Sequence, residues 1–203
     1  TMRWPTVPNM IRAIIPRAKL IVVFRNPTER ALSEFAYFIE DERDISEERF
    51  THAVKAQVAE FNECRRRVLK RQQKDDVLEC MYFQKSKRNV RMGFVRVAYG
   101  IYSRPLLYWW TVFPRSQLLV LRSEVLRAAP VASLRLVFAH LELEPLPLAK
   151  LLEISTPVKS NERGSSRSLK MPPAAKTLLD SFYRPFNQEL AVLMKDDAYL
   201  WEK

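Results

Sequence analysis

The feature that most constrains this chain is a short apolar run followed at once by a helix start. Residues Leu20–Phe24 are apolar without interruption and rich in β-branched and aromatic side chains. A run of this length predicts a strand buried on both faces, as in a parallel sheet. Arg25 ends the run, because a covered sheet does not bury a charge without a partner.

The residues after Arg25 carry the signals of a helix N-terminus. Asn26 can cap the helix, Pro27 suits its first position, and Glu29 stands three residues after the cap. Apolar residues then recur at three- and four-residue spacing, at Ala31, Leu32, Phe35, Ala36 and Ile39. The stretch therefore predicts a strand, a tight turn and an amphipathic helix.

This unit offers a candidate anion site. Arg25 follows the carboxyl end of the strand, where open α/β sheets bind ligands. Ser33 comes nearly two turns after the cap, and helical side chains lean toward the N-terminus, so its hydroxyl points back toward Arg25. A guanidinium, a hydroxyl and a helix N-terminus on one side suit an anion. An exposed arginine and a solvated serine remain the alternative interpretation.

The sequence from Arg25 to Ser33, RNPTERALS, resembles the 3′-phosphate-binding motif of carbohydrate sulfotransferases, which use the donor 3′-phosphoadenylyl sulfate (PAPS). The resemblance continues through residues 117–124 (QLLVLRSE) and 182–187 (FYRPFN), and it is closest to the N-acetylgalactosamine 4-sulfate 6-O-sulfotransferase branch. It implies that Arg25 and Ser33 hold the donor's 3′-phosphate. In the family, a loop before the last helix closes over the same phosphate. Here that loop is residues 161–170, and it offers Arg163, Gly164, Arg167 and Ser168.

The resemblance also implies a fold: a P-loop-NTPase-like α/β domain with a parallel sheet flanked by helices. The family's loop for the 5′-phosphosulfate carries a lysine and lies upstream of the Arg–Ser motif. None of the three glycines in this chain begins such a loop. We therefore expect residues 1–203 to be a single domain, the C-terminal portion of a sulfotransferase domain, with the N-terminal strand and phosphate loop outside the given chain. No catalytic residue can be assigned.

The implied reaction transfers a sulfuryl group from PAPS to a carbohydrate hydroxyl without a metal ion. The implied acceptor is an anionic polysaccharide, a glycosaminoglycan such as chondroitin or dermatan sulfate. The family's members are type II membrane proteins of the Golgi lumen, so a membrane anchor is expected outside the given chain. A catalytically inactive sulfotransferase-like binding module is the main alternative.

Charge supports an anionic partner without identifying it. The chain has 34 Lys and Arg against 23 Asp and Glu, a formal net charge of +11. Nucleic acid, an acidic membrane surface and a sulfated polysaccharide would all complement this surplus. A basic nucleic-acid-binding domain is thus a further alternative, although no known nucleic-acid-binding motif accompanies the charge.

The two cysteines, Cys64 and Cys80, have no companion histidine pair and so predict no zinc site. From the residues alone, two unrelated buried thiols remain possible. The resemblance to enzymes of an oxidising lumen implies a disulfide between them.

The other predicted elements are coarser. Residues 117–121 predict a second short strand, and helices are predicted over residues 8–16, 46–73, 132–141 and from Pro172 onward. The aromatic residues after Tyr102, among them Trp109 and Trp110, have helical spacing and favour a core role over a sugar platform.

Overall fold

The computed structural model describes residues 6–38, 45–70, 76–82, 95–156 and 169–202. Its helices and strands, in chain order, are α1 (Thr6–Ile14), β1 (Leu20–Phe24), α2 (Pro27–Phe38), α3 (Glu47–Leu69), α4 (Asp76–Tyr82), α5 (Ser103–Val112), β2 (Leu118–Arg122), α6 (Ser123–Ala128), α7 (Pro130–His140), α8 (Leu148–Ser155) and α9 (Pro173–Met194). Contacts divide the chain into two compact units. The first comprises Thr1–Arg25 with Leu107–Arg163, and the second Asn26–Leu106 with Gly164–Lys203.

The first unit is built on β1 and β2, which pair in parallel with Leu20 opposite Leu118 and Phe24 opposite Arg122. The Gln117 side chain fixes the start of this pairing. Its Nε2 donates hydrogen bonds to the carbonyls of Pro16 and Ala18, at 3.1 and 3.0 Å. The chain that leads into β1 is thereby tied to the residue that precedes β2.

The prediction that β1 is buried on both faces is wrong for the residues described. Ile21 and Val23 are 40% and 48% exposed, whereas Phe24 is buried. Alternate residues of a strand point to opposite faces, so one face of β1 packs inward and the other is open. An apolar run shows that a strand prefers burial, but not that a second layer covers it.

The second unit has a helical core. Its largest contributions come from Phe35 of α2, from Phe50 and Phe61 of α3, and from Tyr183 and Phe186 of α9, all buried. Aromatic pairs link the helices edge to face. The Phe35 and Phe50 ring centroids are 5.2 Å apart, as are those of Phe61 and Phe182.

The disulfide implied by the resemblance is confirmed: Cys64 of α3 is bonded to Cys80 of α4, with the Cα atoms 5.7 Å apart. The helix from Ser46 is also confirmed, because the Ser46 hydroxyl accepts a hydrogen bond from the Arg49 amide at the start of α3. Leu69, the last residue of α3, is 57% exposed.

The second strand is displaced by one residue from its prediction, because Gln117 belongs to a short 3₁₀ turn and β2 begins at Leu118. Helices α4, α6 and α8 were not predicted. The predicted single domain, as the C-terminal portion of a larger one, stays a prediction. In the part of the chain that the structure describes, no helix is both long and apolar enough to cross a membrane.

Candidate functional site

The helix start after β1 forms as its residues predict. The Asn26 Oδ1 accepts hydrogen bonds from the amides of Thr28 and Glu29, at 2.9 and 3.3 Å. Pro27 occupies the first helical position and is buried. Asn26 thus satisfies amides that the first turn of α2 cannot pair internally.

The predicted phosphate ligands lie on different parts of the chain. Arg25 directly follows β1 and is half-buried, and it ends the first unit. Ser33 is exposed on α2, in the second unit. That the two bind one phosphate stays a prediction. The predicted loop ligands Arg163, Gly164, Arg167 and Ser168 lie outside the described residues.

A second arginine stands at the same edge of the sheet as Arg25. Phe24 pairs with Arg122, so the carboxyl ends of β1 and β2 lie side by side, and Arg25 follows directly after Phe24. Arg122 Nε is 3.9 Å from Glu124 Oε2, in the first turn of α6. The carboxyl edge of the two strands therefore carries two guanidinium groups and one carboxylate.

On α2 itself, Glu34 is the centre of a closed ion cluster, which we call the Glu34 cluster. Arg30 Nη1 is 2.9 Å from Glu34 Oε2, and Arg96 Nε is 2.6 Å from Glu34 Oε1. The Arg96 amide also donates to Glu34 Oε2, and Arg30 Nη2 donates to the Arg96 carbonyl. The Glu34 side chain is only 8% exposed, so its carboxylate is occupied by structural partners.

Tyr183 fixes the segment that follows Arg96. Its hydroxyl donates to the Val97 carbonyl at 2.7 Å, and complete burial raises the pKa of Tyr183 to about 12 although nearby Arg30 lowers it. Gly100 lies against the same ring. A Cβ there would stand 2.7 Å from Tyr183 Cε1 and 2.8 Å from Pro27 Cβ. Only glycine fits this approach without displacing its neighbours.

A second carboxylate joins the start of α2 to α9. The buried Thr28 hydroxyl donates to Asp180 Oδ1 at 2.7 Å, and Lys176 Nζ is 2.5 Å from Asp180 Oδ2. This group, which we call the Asp180 cluster, borders a cavity of about 210 Å³. Arg184, Asn187 and Trp201 also line the cavity. Its lining includes Asn26 and Thr28, which belong to the predicted motif.

Sequence reasoning did not identify the Glu34 and Asp180 clusters. Part of each cluster could be predicted from the sequence, because Arg30 with Glu34 and Lys176 with Asp180 have the four-residue spacing of helical ion pairs. The long-range partners Arg96 and Thr28 had no signal in the sequence. Among the described residues, no group of three or more His, Cys, Asp or Glu could hold a metal ion.

Comparison with known proteins agrees with the resemblance carried by the motif. The sulfotransferase domain family model matches residues 7–170. The chain is 32% identical over 198 residues to carbohydrate sulfotransferase 15 of Mus musculus, and 31% identical to that of Homo sapiens. Each match covers 96% of this chain and 33% of the relative. The chain thus spans a third of the length of these relatives.

More distant matches point the same way. Heparan sulfate glucosamine 3-O-sulfotransferase 6 of Homo sapiens is 24% identical, over 94% of this chain and 51% of that protein. The crystal structure of a sulfotransferase from Alicyclobacillus acidocaldarius superposes with a TM-score of 0.60 at 22% identity, over 97% of this chain and 63% of the other. The predicted α/β sulfotransferase fold, helices around a parallel sheet, is therefore confirmed.

Proposed function

Because the chain belongs to the sulfotransferase domain family, we propose that the protein transfers a sulfuryl group from PAPS to a hydroxyl group of a carbohydrate. The observation that carries this proposal is the RNPTERALS motif, which here forms a strand end and a capped helix within the residues that the family model matches. We further propose a glycosaminoglycan acceptor, such as chondroitin or dermatan sulfate, and a site of action in the Golgi lumen.

The chemistry of the available donor groups fits PAPS. A guanidinium binds a phosphate through two parallel charged hydrogen bonds, and a hydroxyl adds a third. Arg25 and Ser33 would hold the 3′-phosphate, with help from Arg163, Gly164, Arg167 and Ser168 of the loop. The guanidinium of Arg122, at the same sheet edge as Arg25, supports an anion site there.

PAPS supplies the sulfuryl group that is transferred. The residues of this chain contribute binding and orientation, because a donor fixed at its 3′-phosphate holds its reacting end in a defined place. Glu34 is a poor choice for a general base, since both of its oxygens are already bound by arginines. The net charge of +11 supports an acceptor that is itself anionic.

The reaction is tested with the complete protein, sulfur-labelled PAPS, and chondroitin, dermatan and heparan sulfates as acceptors. We expect label on one of these polysaccharides, and a loss of at least tenfold in kcat/KM in Arg25→Ala. Arg17→Ala, which removes an exposed arginine before β1, is the matched control and should keep its activity. A protein that binds 3′,5′-ADP but labels none of them would be an inactive binding module, contrary to the proposal.

A further inference from the structure

The cavity beside the Asp180 cluster has the size and lining of a small polar ligand site. Its volume of about 210 Å³ lies below the range of about 300–1,000 Å³ that is usual for drug-sized ligands. The cavity is therefore large enough for a ligand about the size of one ring. Its walls come from the start of α2, from one face of α9 and from the residues that follow α9, all within the second unit.

The charges in the cavity balance one another. Lys176 and Arg184 supply two cations, while Asp180 and Glu202 supply two carboxylates. Asp180 already accepts from Thr28 and Lys176, so its charge is locally compensated. A phosphate or sulfate group would need a surplus of cations, which this lining does not provide. The balance favours a neutral ligand with hydroxyl groups that both donate and accept hydrogen bonds.

Two side chains give such a ligand directional contacts. Arg184 lies one turn after Asp180 on α9, and no ion pair joins its guanidinium to another described residue, although it lines the same cavity as two carboxylates. Its guanidinium carries five N–H donors for a ligand. Asn187, one turn further on, is buried and donates to the Leu200 carbonyl at 3.3 Å, which leaves its side-chain oxygen as an acceptor. Donor and acceptor groups thus alternate along one face of α9.

An aromatic ring completes the lining. Trp201 is half-buried, and its ring packs edge to face against Tyr102 and Tyr199, with centroid distances of 6.1 and 5.7 Å. These contacts hold the indole in place at the cavity wall. A fixed aromatic ring beside hydrogen-bonding groups is suited to a sugar, which has an apolar C–H face and a rim of hydroxyl groups.

We infer that this cavity binds one sugar unit of the carbohydrate acceptor, with Arg184 and Asn187 contacting its hydroxyl groups and Trp201 packing against its ring. The inference rests on the proposed function in that the sugar is taken to belong to the acceptor. The cavity would then help to select and position the acceptor chain, and it would have no part in donor binding.

The test combines binding and kinetics on the complete protein, with unsulfated chondroitin and heparan-type oligosaccharides as probes. Trp201→Phe identifies the indole N–H signal of Trp201, because this is the signal that the variant lacks. We expect that signal to shift when one of the oligosaccharides is added. Arg184→Ala should weaken oligosaccharide binding about tenfold or more, the loss expected for a charged hydrogen bond. Its affinity for 3′,5′-ADP should be unchanged.

Arg67→Ala is the matched control, because Arg67 is an exposed arginine of the same unit that does not line the cavity. Arg184→Lys should recover part of the binding, and thermal melting confirms that each variant is folded. Equal oligosaccharide affinity in wild type and Arg184→Ala would overturn the inference, as would wild type that binds neither oligosaccharide. Sulfate transfer with an unchanged acceptor KM in Arg184→Ala would refute only the inference that the cavity binds the acceptor. A shifted Trp201 signal without any transfer would refute only the proposed reaction.

Discussion

The Glu34 and Asp180 clusters both lie in the second unit. In each of them, a carboxylate binds one residue of its own helix and one residue that is distant in sequence. They differ in burial and in closure. Glu34 is 8% exposed and has arginines on both oxygens, whereas the Asp180 side chain is 39% exposed beside a cavity. The comparison indicates that Glu34 serves the fold, while Asp180 borders the cavity to which we assign the sugar.

Burial sets the size of the effect that each carboxylate has on stability. Removing one partner of a buried ion pair leaves an uncompensated charge and costs about 3–5 kcal/mol. An exposed pair contributes roughly 0–1 kcal/mol, because water and salt screen it. The two clusters should therefore respond very differently to the same chemical change.

The largest effect is expected for Glu34→Gln. This substitution keeps the shape of the side chain but removes the charge that compensates Arg30 and Arg96. We expect the free energy of unfolding to fall by about 3 kcal/mol or more in denaturant titrations.

Glu63→Gln is the matched control on the surface of α3, where Glu63 is 49% exposed beside Arg66 and Arg67. It should change the free energy of unfolding by less than about 1 kcal/mol. If the two variants lost the same stability, the Glu34 cluster would not have the structural role assigned to it.

Tyr183 gives a second, smaller effect through its ionisation. The pKa of Tyr183 is raised from 10.0 to about 12 in the folded protein. Between these two pH values, the folded state therefore keeps the phenolic proton that the unfolded state loses. The contribution of this proton to the free energy of unfolding is therefore complete below pH 10 and is lost as the pH rises toward 12. By linkage, this loss is up to about 2–3 kcal/mol.

The measurement is the free energy of unfolding between pH 9 and pH 12 for wild type and Tyr183→Phe. The variant will be less stable near neutral pH, since the hydrogen bond to Val97 is lost. Its stability should nevertheless fall less steeply with pH than that of wild type. Parallel pH profiles would show that Tyr183 does not titrate as its burial implies.

The smallest effect is expected for Asp180→Asn. The amide keeps an oxygen for the Thr28 hydroxyl and removes only the exposed ion pair with Lys176. Thermal and denaturant unfolding should differ from wild type by about 1 kcal/mol or less. A loss comparable to that of Glu34→Gln would erase the distinction between the two clusters.

Local signals in the sequence predicted the parts of this fold that depend on neighbouring residues. The bounds of β1 and the cap at Asn26 follow from an apolar run, a capping side chain and a proline, all within eight residues. Whether β1 is covered depends on layers distant in sequence, so the exposure of Ile21 and Val23 had no local signal.

The same reasoning accounts for what was missed. Helix α8 follows two prolines, which are typical of the end of a helix, although Leu148, Leu151 and Leu152 repeat at helical spacing. The contact between Thr28 and Asp180 joins residues 152 positions apart, and no local pattern indicates it. The cavity could therefore be found only in the folded chain, whereas Arg25 and Ser33 could be proposed from the motif.

Titration calorimetry with 3′,5′-ADP on the complete protein tests the donor site most directly. Arg25→Ala should weaken binding about 10- to 100-fold, since a charged hydrogen bond to phosphate is lost, and Ser33→Ala about fivefold, for one hydroxyl bond. Arg17→Ala and Ser181→Ala, both at exposed positions outside the motif, should bind as wild type does. An unchanged affinity in Arg25→Ala would remove the motif from the donor site and contradict the account.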